Sequence, residues 1–565
     1  MKFEQSFVQT QRGFARGALS PSRRPQTITL GFLSKDLPAT AISAELAQSL
    51  CGEIGASVVL LRLQSAESGS LRTGFGDQAT VVDWAPSESV LQGQFRSGSL
   101  VRTQAGYDVL NLSPSHWVSP EGITSLWNQL SRHYHHILVE VAADGATEAS
   151  TLEFLARSDV AFLFLRPRAE DVLHFQRVTA EVCARDHNDI ARLKPAFCWL
   201  EGDSNRSADA PALKMSARLI RDCPMVSNPN ALDNSSRVPD RFHADVRRLA
   251  REISGRMVGL ALSSGAAKGF AHIGVIQVLE ENGIEIDAVA GVSIGAYIGA
   301  AWTYGCDGKE LEKLARELEG RWGFWRLFDP VFPPRQGFLR GNALRQRLMR
   351  TIGTTRFSDL PRPLRVIAGN LGTLEPTVFA TGEVAAAVHA STAVPGICVP
   401  VNLNGESYID GGIVDPVPVD ALREMGVGRV IAVNVIPTTE RMKIAFEADR
   451  ERARLQGTRR NKWFRKPFPV EEQINYLAQG NLFEILARSI HGAQVQLAEA
   501  SCRMADVVLR PDTGDDRWLD CRNPGRFIAL GRQSAEQHIE QIKALAQKKQ
   551  LDYEELASGP VAEIA

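Results

Sequence analysis

From residue 27 onward, short continuous apolar runs alternate with amphipathic stretches. "TITLGFLS" (27–34) reads as a strand, "AISAELAQSLCGEIG" as a helix closed by glycine, and "ASVVLLRL" as the next strand. The alternation returns in "HHILVEV" (135–141), in the helical "STLEFLARSD" and in "VAFLFLRP" (160–167). Apolar runs with no polar face mark strands covered on both sides, and strands alternating with helices predict a parallel α/β domain. Residues 201–211 and 227–240 are rich in Ser, Asn, Asp and Pro and read as loops. The amphipathic "RFHADVRRLAREISG" then leads into a second domain near residue 257. There the pattern restarts with the strand "MVGLAL", the loop "SSGAAKG" (263–269) and the helix "FAHIGVIQVLEENG", and it continues to about residue 510. The expected organisation is a disordered arm (1–26), an α/β domain of unknown role (27–250), a second α/β domain (257–515) and a helical C-terminal extension (516–565).

Composition narrows the function classes. The 565 residues exceed one core. A net charge of −1 excludes nucleic-acid binding driven by bulk electrostatics. The eight cysteines form no C-x-x-C pair, so neither a metal site nor a disulfide framework is expected, and a reduced, cytoplasmic protein is. The N-terminal segment has no apolar stretch of signal-peptide type. The uncharged run Ala288–Cys306 is rich in small residues rather than large aliphatic ones, which argues against a membrane span. The first strand-to-helix loop, "SKDLPAT", lacks the glycines and the Gly-Lys-Ser/Thr of a P-loop, so no nucleotide chemistry is expected of the first domain.

Candidate chemistry concentrates in the second domain. Gly291-Val-Ser293-Ile-Gly295 follows an apolar strand and precedes a small-residue helix, the setting of a nucleophile elbow. Ser293 would stand at a helix N-terminus, where developing negative charge is favoured. Its base could be His389, His491 or His538, each of which also fits a structural role, or Asp410 of "SYIDGGIVDPVPV", followed by the turn glycines Gly411 and Gly412. The loop "SSGAAKG" between strand and helix has the geometry of an anion site.

Four blocks in order, "LSSGAAKGFAHIGVIQVLEENGI", "AGVSIGAYIGA", "AAAVHASTAVPGICVPV" and "YIDGGIVDPVPVDALREMG", resemble the patatin-like phospholipases, especially the bacterial relatives of neuropathy target esterase. The resemblance covers residues 258–436. It implies a three-layer α/β/α hydrolase domain, and the smaller parallel α/β domain without a P-loop, roughly 27–250, resembles the region that precedes the catalytic domain in the target-esterase group. It implies a Ser–Asp dyad without histidine: Ser293 the nucleophile, Asp410 the base, no cofactor and no metal. It also implies that the loop's backbone N–H groups stabilise the oxyanion, with Gly265, Ala266 and Lys268 at the hole-forming positions and Gly269 following. Ser264 and Ala266 stand where the family usually has glycine. Ala266 can serve if its φ is negative; a positive φ would strain it by roughly 1 kcal/mol or more. The implied substrate is a phospholipid or lysophospholipid.

Two further stretches bear on that substrate. "GRWGFWRLFDPVFPP" (320–334) clusters aromatic residues that are either core or the lining and mouth of an acyl site. "RARLQGTRRNKWFRKPF" (452–468) interleaves cations with aromatics and carries no acid. Arg459, Arg460, Lys462, Trp463 and Phe464 there either form a solvated insertion loop or suit an anionic membrane surface, which predicts peripheral attachment to the inner membrane face. Two other readings fit the same residues: a catalytically weakened membrane-binding or regulatory protein, and a soluble carboxylesterase.

Overall fold

The computed structural model of the protein describes residues 25–63, 80–84, 95–114, 120–141, 148–185, 192–203, 218–224, 240–319, 329–333, 335–437, 447, 451, 482–513 and 523–547. Two compact units result, one on residues up to Arg256 and one spanning Met257–Lys548.

In the first unit the strands are β1 (Gln26–Phe32), β2 (Val58–Leu63), β3 (Thr80–Trp84), β4 (Phe95–Arg102), β5 (Asp108–Pro114), β6 (His136–Val141), β7 (Val160–Leu165), β8 (Leu193–Leu200) and β9 (Arg218–Cys223). They form one sheet in the order β3-β4-β5-β2-β6-β1-β7-β8-β9. The helices are α1 (Ala39–Ile54), α2 (Pro120–Leu130), α3 (Glu148–Arg157), α4 (Ala169–Arg185) and α5 (Asp240–Ile253). Leu30, Leu60 and Leu138 pack with Leu46 of α1 and Leu249 of α5. Val59, Ile137 and Leu163 face the other way, towards Leu126, Phe154 and Phe175 of α2, α3 and α4. The sheet departs from the parallel one expected: β3 pairs with β4, and β4 with β5, in antiparallel fashion. In the loop after β1, Asp36 accepts hydrogen bonds from Arg166 (2.9 Å) and Arg168 (2.8 Å), and Asp203 accepts one from Arg166 (2.6 Å).

The second unit holds β10 (Val258–Leu262), β11 (Ala288–Val292), β12 (Leu364–Asn370), β13 (Pro376–Phe379), β14 (Val401–Leu403), β15 (Glu406–Asp410), β16 (Arg429–Val433) and β17 (Val507–Leu509). Its helices are α6 (Ala271–Glu281), α7 (Ile294–Tyr304), α8 (Gly308–Arg316), α9 (Asn342–Ile352), α10 (Val384–Ser391), α11 (Val419–Glu424), α12 (Leu482–Cys502), α13 (Pro524–Gln537) and α14 (Ile539–Gln547). The strand order is β14-β15-β12-β11-β10-β16-β17, with β13 paired to β12. Helices cover both faces. Leu260, Leu262, Val289, Val366, Ile431 and Val433 point into the layer that includes α6, α7, α10 and α13. The alternate residues Ala261, Ala288, Ala290 and Ala432 face α11 and α12. This two-residue alternation of large and small side chains sets how closely each helical layer approaches.

Central β10, β11 and β16 are buried at every residue. The chain leaves β10 for β11 on one side, while β16 lies on the other. Open α/β sheets bind ligands at the carboxyl ends of strands beside such a switch point.

The expected C-terminal extension is instead part of this unit: α13 lies on α6, with Phe527 and Ile528 in the main core. The crossing is backbone on backbone. A Cβ at Gly274 would come within 1.9 Å of the Ile528 carbonyl oxygen, and one at Gly531 within 1.9 Å of the Ala271 carbonyl oxygen. Arg532 fastens the same crossing to Glu281 at 2.7 and 2.8 Å. No helix among the described residues is long and apolar enough to cross a membrane.

Candidate active site

Ser293 follows the last residue of β11 and caps α7. Its backbone is at φ 54°, ψ −120°, a region that costs of order 1–3 kcal/mol for a residue with a Cβ. The neighbours hold it there. A Cβ at Gly291 would lie 2.6 Å from the Gly295 carbonyl, and one at Gly295 would lie 2.4 Å from the Leu262 carbonyl. Only glycine lets the first turn of α7 sit this close to β10 and β11. The Ser293 N–H donates to Ser391 Oγ (2.8 Å), and the Ser391 hydroxyl donates to the Ile367 carbonyl of β12 (2.6 Å). Ser391 is fully buried at the end of α10.

Asp410 reaches the same place by sheet register. It ends β15 and pairs with Ala368 of β12, and Ile367 in turn pairs with Val292. The Ser293 hydroxyl donates to Asp410 Oδ2 at 2.6 Å, and the Gly412 N–H donates to Oδ1 at 2.7 Å. The Asp410 N–H donates to the Ala393 carbonyl at 2.8 Å. A Cβ on Gly411 would meet the Ile367 carbonyl at 2.2 Å, and one on Gly412 would meet Ser264 Oγ at 2.5 Å. The tight Asp-Gly-Gly turn is thus required by close approach. Burial pushes the Asp410 carboxyl up to about 6, against the hydrogen bonds from Ser293 and Gly412 that pull it down.

The loop after β10 supplies donors. Ser263 is tied to the end of β16 through its N–H to the Val433 carbonyl, and to the segment after it through its hydroxyl, which accepts from the Val435 N–H. Ser264 donates its N–H to the Pro416 carbonyl. Residues Ala266–Phe270 then form a 3₁₀ turn leading into α6. Among the described residues, the N–H groups of Gly265 and Ala266 have no hydrogen-bond partner. Lys268 departs from the expected donor set: its N–H is spent on the Gly265 carbonyl at 3.2 Å. Gly269 packs against Ile294, whose side chain would meet a Cβ there at 2.1 Å. Gly265 lacks room as well, since a Cβ would meet Val435 at 2.4 Å.

Ala266 sits at φ +48°, the strained alternative. Ala266→Gly is expected to raise stability by up to about 1 kcal/mol, less the extra chain entropy glycine brings to the unfolded state. The urea midpoint measures it; an unchanged or lower midpoint means the loop does not strain Ala266.

Among the described residues, the Ser293 side chain hydrogen-bonds to Asp410 and to no histidine. His389 pairs through Nε2 with the Arg340 carbonyl, His491 through Nδ1 with Gln494, and His538 through Nδ1 with the Ser534 carbonyl. His272, fully buried, pairs through Nε2 with the Ser263 carbonyl, and burial lowers it to about 4. Arg459, Arg460, Lys462, Trp463 and Phe464 lie outside the described residues, as do Trp322, Phe324, Trp325 and Phe328. Among the described residues no group of three His, Cys, Asp or Glu could hold a metal ion.

Ser391 escaped the sequence reading. Its only local signal is a lone hydroxyl followed by threonine at the end of an Ala/Val helix.

One comparison with known proteins has bounds inside this unit. Residues 260–423 match the family model of patatin-like phospholipases. The lysophospholipase nte1 of Aspergillus fumigatus is 32% identical over 223 residues, 39% of this chain and 14% of that protein. The lysophospholipase NTE1 of Cryptococcus neoformans is 33% identical over 192 residues, 34% of this chain and 12% of that protein. With the Neurospora crassa lysophospholipase nte1 the match extends to 58% of this chain and 21% of that protein, at 27% identity. The chain therefore spans a small part of the length of the curated relatives it matches. Among solved structures, VipD from Legionella pneumophila aligns at a TM-score of 0.28 and 17% identity, over 51% of this chain and 67% of that one. Residues 260–423 belong to the patatin-like phospholipase family, and through them the chain is related to the NTE1 lysophospholipases.

Proposed function

We propose that the second unit is a serine hydrolase that cleaves an acyl ester of a phospholipid or lysophospholipid at a membrane surface, with Ser293 as nucleophile and Asp410 as base. The observation that carries this reading is the 2.6 Å hydrogen bond from the Ser293 hydroxyl to a buried aspartate, made from a glycine-framed elbow at a helix N-terminus.

Each part has a task. Asp410 Oδ2 takes the hydroxyl proton as Ser293 Oγ attacks the acyl carbonyl carbon. The Gly412 N–H holds the other carboxylate oxygen, so Oδ2 keeps its lone pair aimed at the serine. The oxygen of the tetrahedral intermediate acquires negative charge, which the unpaired N–H groups of Gly265 and Ala266 and the N-terminus of α7 stabilise. Asp410 passes its proton to the departing alcohol. A water then attacks the acyl-enzyme, giving its proton to the same carboxylate, and the acid leaves with Ser293 restored. The relatives named as lysophospholipases support the lipid substrate. The basic, aromatic segment 452–468 supports peripheral membrane attachment on the cytoplasmic side.

Labelling with a fluorophosphonate tests the assignment. The probe is expected to modify the wild-type protein at Ser293 and to leave Ser293→Ala unlabelled. Labelling that persists in Ser293→Ala places the activated group elsewhere. Absence of labelling in the wild type, with or without anionic vesicles, favours the weakened-hydrolase reading, for which the non-glycine residues Ser264 and Ala266 supply the reason.

A further inference from the structure

The described residues contain nine exposed large apolar side chains, and Phe332, Phe338, Leu371 and Leu374 are four of them, at 95%, 49%, 43% and 70% exposure. They sit on two turns near the dyad. The first is a hairpin in which Pro330 bridges Leu339 and the Val331 N–H donates to the Phe338 carbonyl. It hangs on the strip 397–399: the Phe338 N–H donates to the Ile397 carbonyl (2.8 Å), and the Val399 N–H donates to the Leu339 carbonyl (2.9 Å). That strip follows Ala393, whose carbonyl receives the Asp410 N–H. The second turn, Leu371–Leu374, follows the carboxyl end of β12 and is tied to β15 by the Leu371 N–H to the Ser407 carbonyl.

The charges differ between the two turns. Arg335 and Arg340 are exposed on the hairpin, and among the described residues neither has a carboxylate partner. The nearby Asp329 is engaged in receiving the N–H groups of Arg340, Gly341 and Ala343 at the start of α9. The Leu371–Leu374 turn is instead flanked by exposed Glu375 and Glu406.

We propose that the hairpin built from residues 330–333 and 335–340 is a docking finger for an anionic phospholipid bilayer, with Phe332 and Phe338 entering the interface and Arg335 and Arg340 meeting the headgroups. The proposal rests on the lipid-ester reading above, since it explains how a buried serine meets a substrate held in a bilayer. A deformable bilayer fits separate apolar tips with polar backbone between them, whereas a protein partner needs one contiguous apolar patch. Aromatic rings with unpaired cations are the side chains that settle at headgroup level. The leucine turn adds an apolar contact, and its glutamates leave the anionic headgroups to the hairpin.

Flotation of the full chain with vesicles of phosphatidylcholine, with and without phosphatidylglycerol, tests the proposal. Phe332→Ser combined with Phe338→Ser is expected to reduce flotation about tenfold, and Arg335→Ala with Arg340→Ala to remove the preference for phosphatidylglycerol. The ratio of vesicle-phospholipid turnover to turnover of a soluble short-chain nitrophenyl ester is expected to fall in parallel. Leu173→Ser, at an exposed leucine of the first unit, is expected to leave flotation unchanged. Flotation insensitive to the hairpin variants, or sensitive only to changes in 452–468, overturns the proposal. So does a change confined to the sedimentation of lipid-free protein, which assigns the hairpin to a second copy of the chain. If flotation depends on Phe332 but no ester is cleaved, docking stands and the hydrolase reading fails.

Discussion

Asp410→Asn is expected to cut ester hydrolysis by about 10⁴-fold and, above pH 6, to make the protein more stable. Asparagine keeps the shape of the side chain. Its carbonyl oxygen can accept the Gly412 N–H, and its amide can donate to Ser293 Oγ. On the proposed mechanism the serine hydroxyl then has no base, so attack loses its proton acceptor while the elbow stays in place. The stability gain follows from burial. The folded carboxyl is pushed up to about 6 from an ordinary value near 3.8, so the native state binds the proton more tightly than the unfolded chain. Stability therefore falls as pH rises between about 4 and 6, and the full penalty, on the order of 2–3 kcal/mol, persists above that range. The neutral amide carries no such penalty. Asp415, pushed up to about 7 by burial and by Asp420 and Glu424, titrates in both proteins, so the difference between them isolates Asp410. Urea unfolding at pH 4 and pH 8 measures it: the two proteins should converge at the lower pH and separate at the higher. The same ionisation makes wild-type kcat/KM rise with pH through about 6. Retained hydrolysis in Asp410→Asn, or equal stability at pH 8, removes Asp410 from the role of buried base.

Much of this arrangement was legible because it is local. A five-residue Gly-x-Ser-x-Gly between an apolar strand and a small-residue helix contains its own geometric reason, and so does aspartate before two glycines at a strand end. The buried parallel strands were equally plain, since a strand covered on both faces has nowhere to place a polar residue. What escaped was non-local or conformational. Nothing in the composition of "SSGAAKG" shows that Ala266 takes a positive φ; a glycine there would have drawn attention to it. Ser391 matters only because β12 and the elbow meet at its hydroxyl, a coincidence of three distant segments. The antiparallel strands β3 and β4 lie at one end of the sheet; β3 is five residues long, and β4 carries Arg, Ser and Gly in its first half, a composition that resembles a loop. Gly274 and Gly531 each read as an ordinary glycine inside a helix, because neither carries a sign of its partner.

Those two glycines support the second large effect. Gly531→Ala is expected to destabilise the protein by about 3 kcal/mol or more and to lower hydrolysis with it. The added methyl would overlap the Ala271 carbonyl oxygen at 1.9 Å. The obstacle is backbone, so no rotamer change relieves it, and α13 must slide or lift from α6. Lifting exposes Phe527 and Ile528, both buried in the main core, and loosens the Arg532–Glu281 pair. The effect on chemistry follows from where the crossing lies: Ala271 is the first residue after the 3₁₀ turn that presents Ala266, and α13 packs on that turn as well as on α6. On the proposed mechanism, a shift of this corner by about 1 Å misplaces donors whose contribution depends on their position at the developing oxyanion. Gly525→Ala is the control on the same helix, because its Cβ would meet only the guanidinium end of Arg316, at 3.4 Å; its urea midpoint should stay near wild type. If Gly531→Ala also unfolds at the wild-type midpoint, the helices do not cross as closely as their carbonyls indicate. If it is destabilised but hydrolyses at the wild-type rate well below that midpoint, the crossing supports the fold without holding the oxyanion loop.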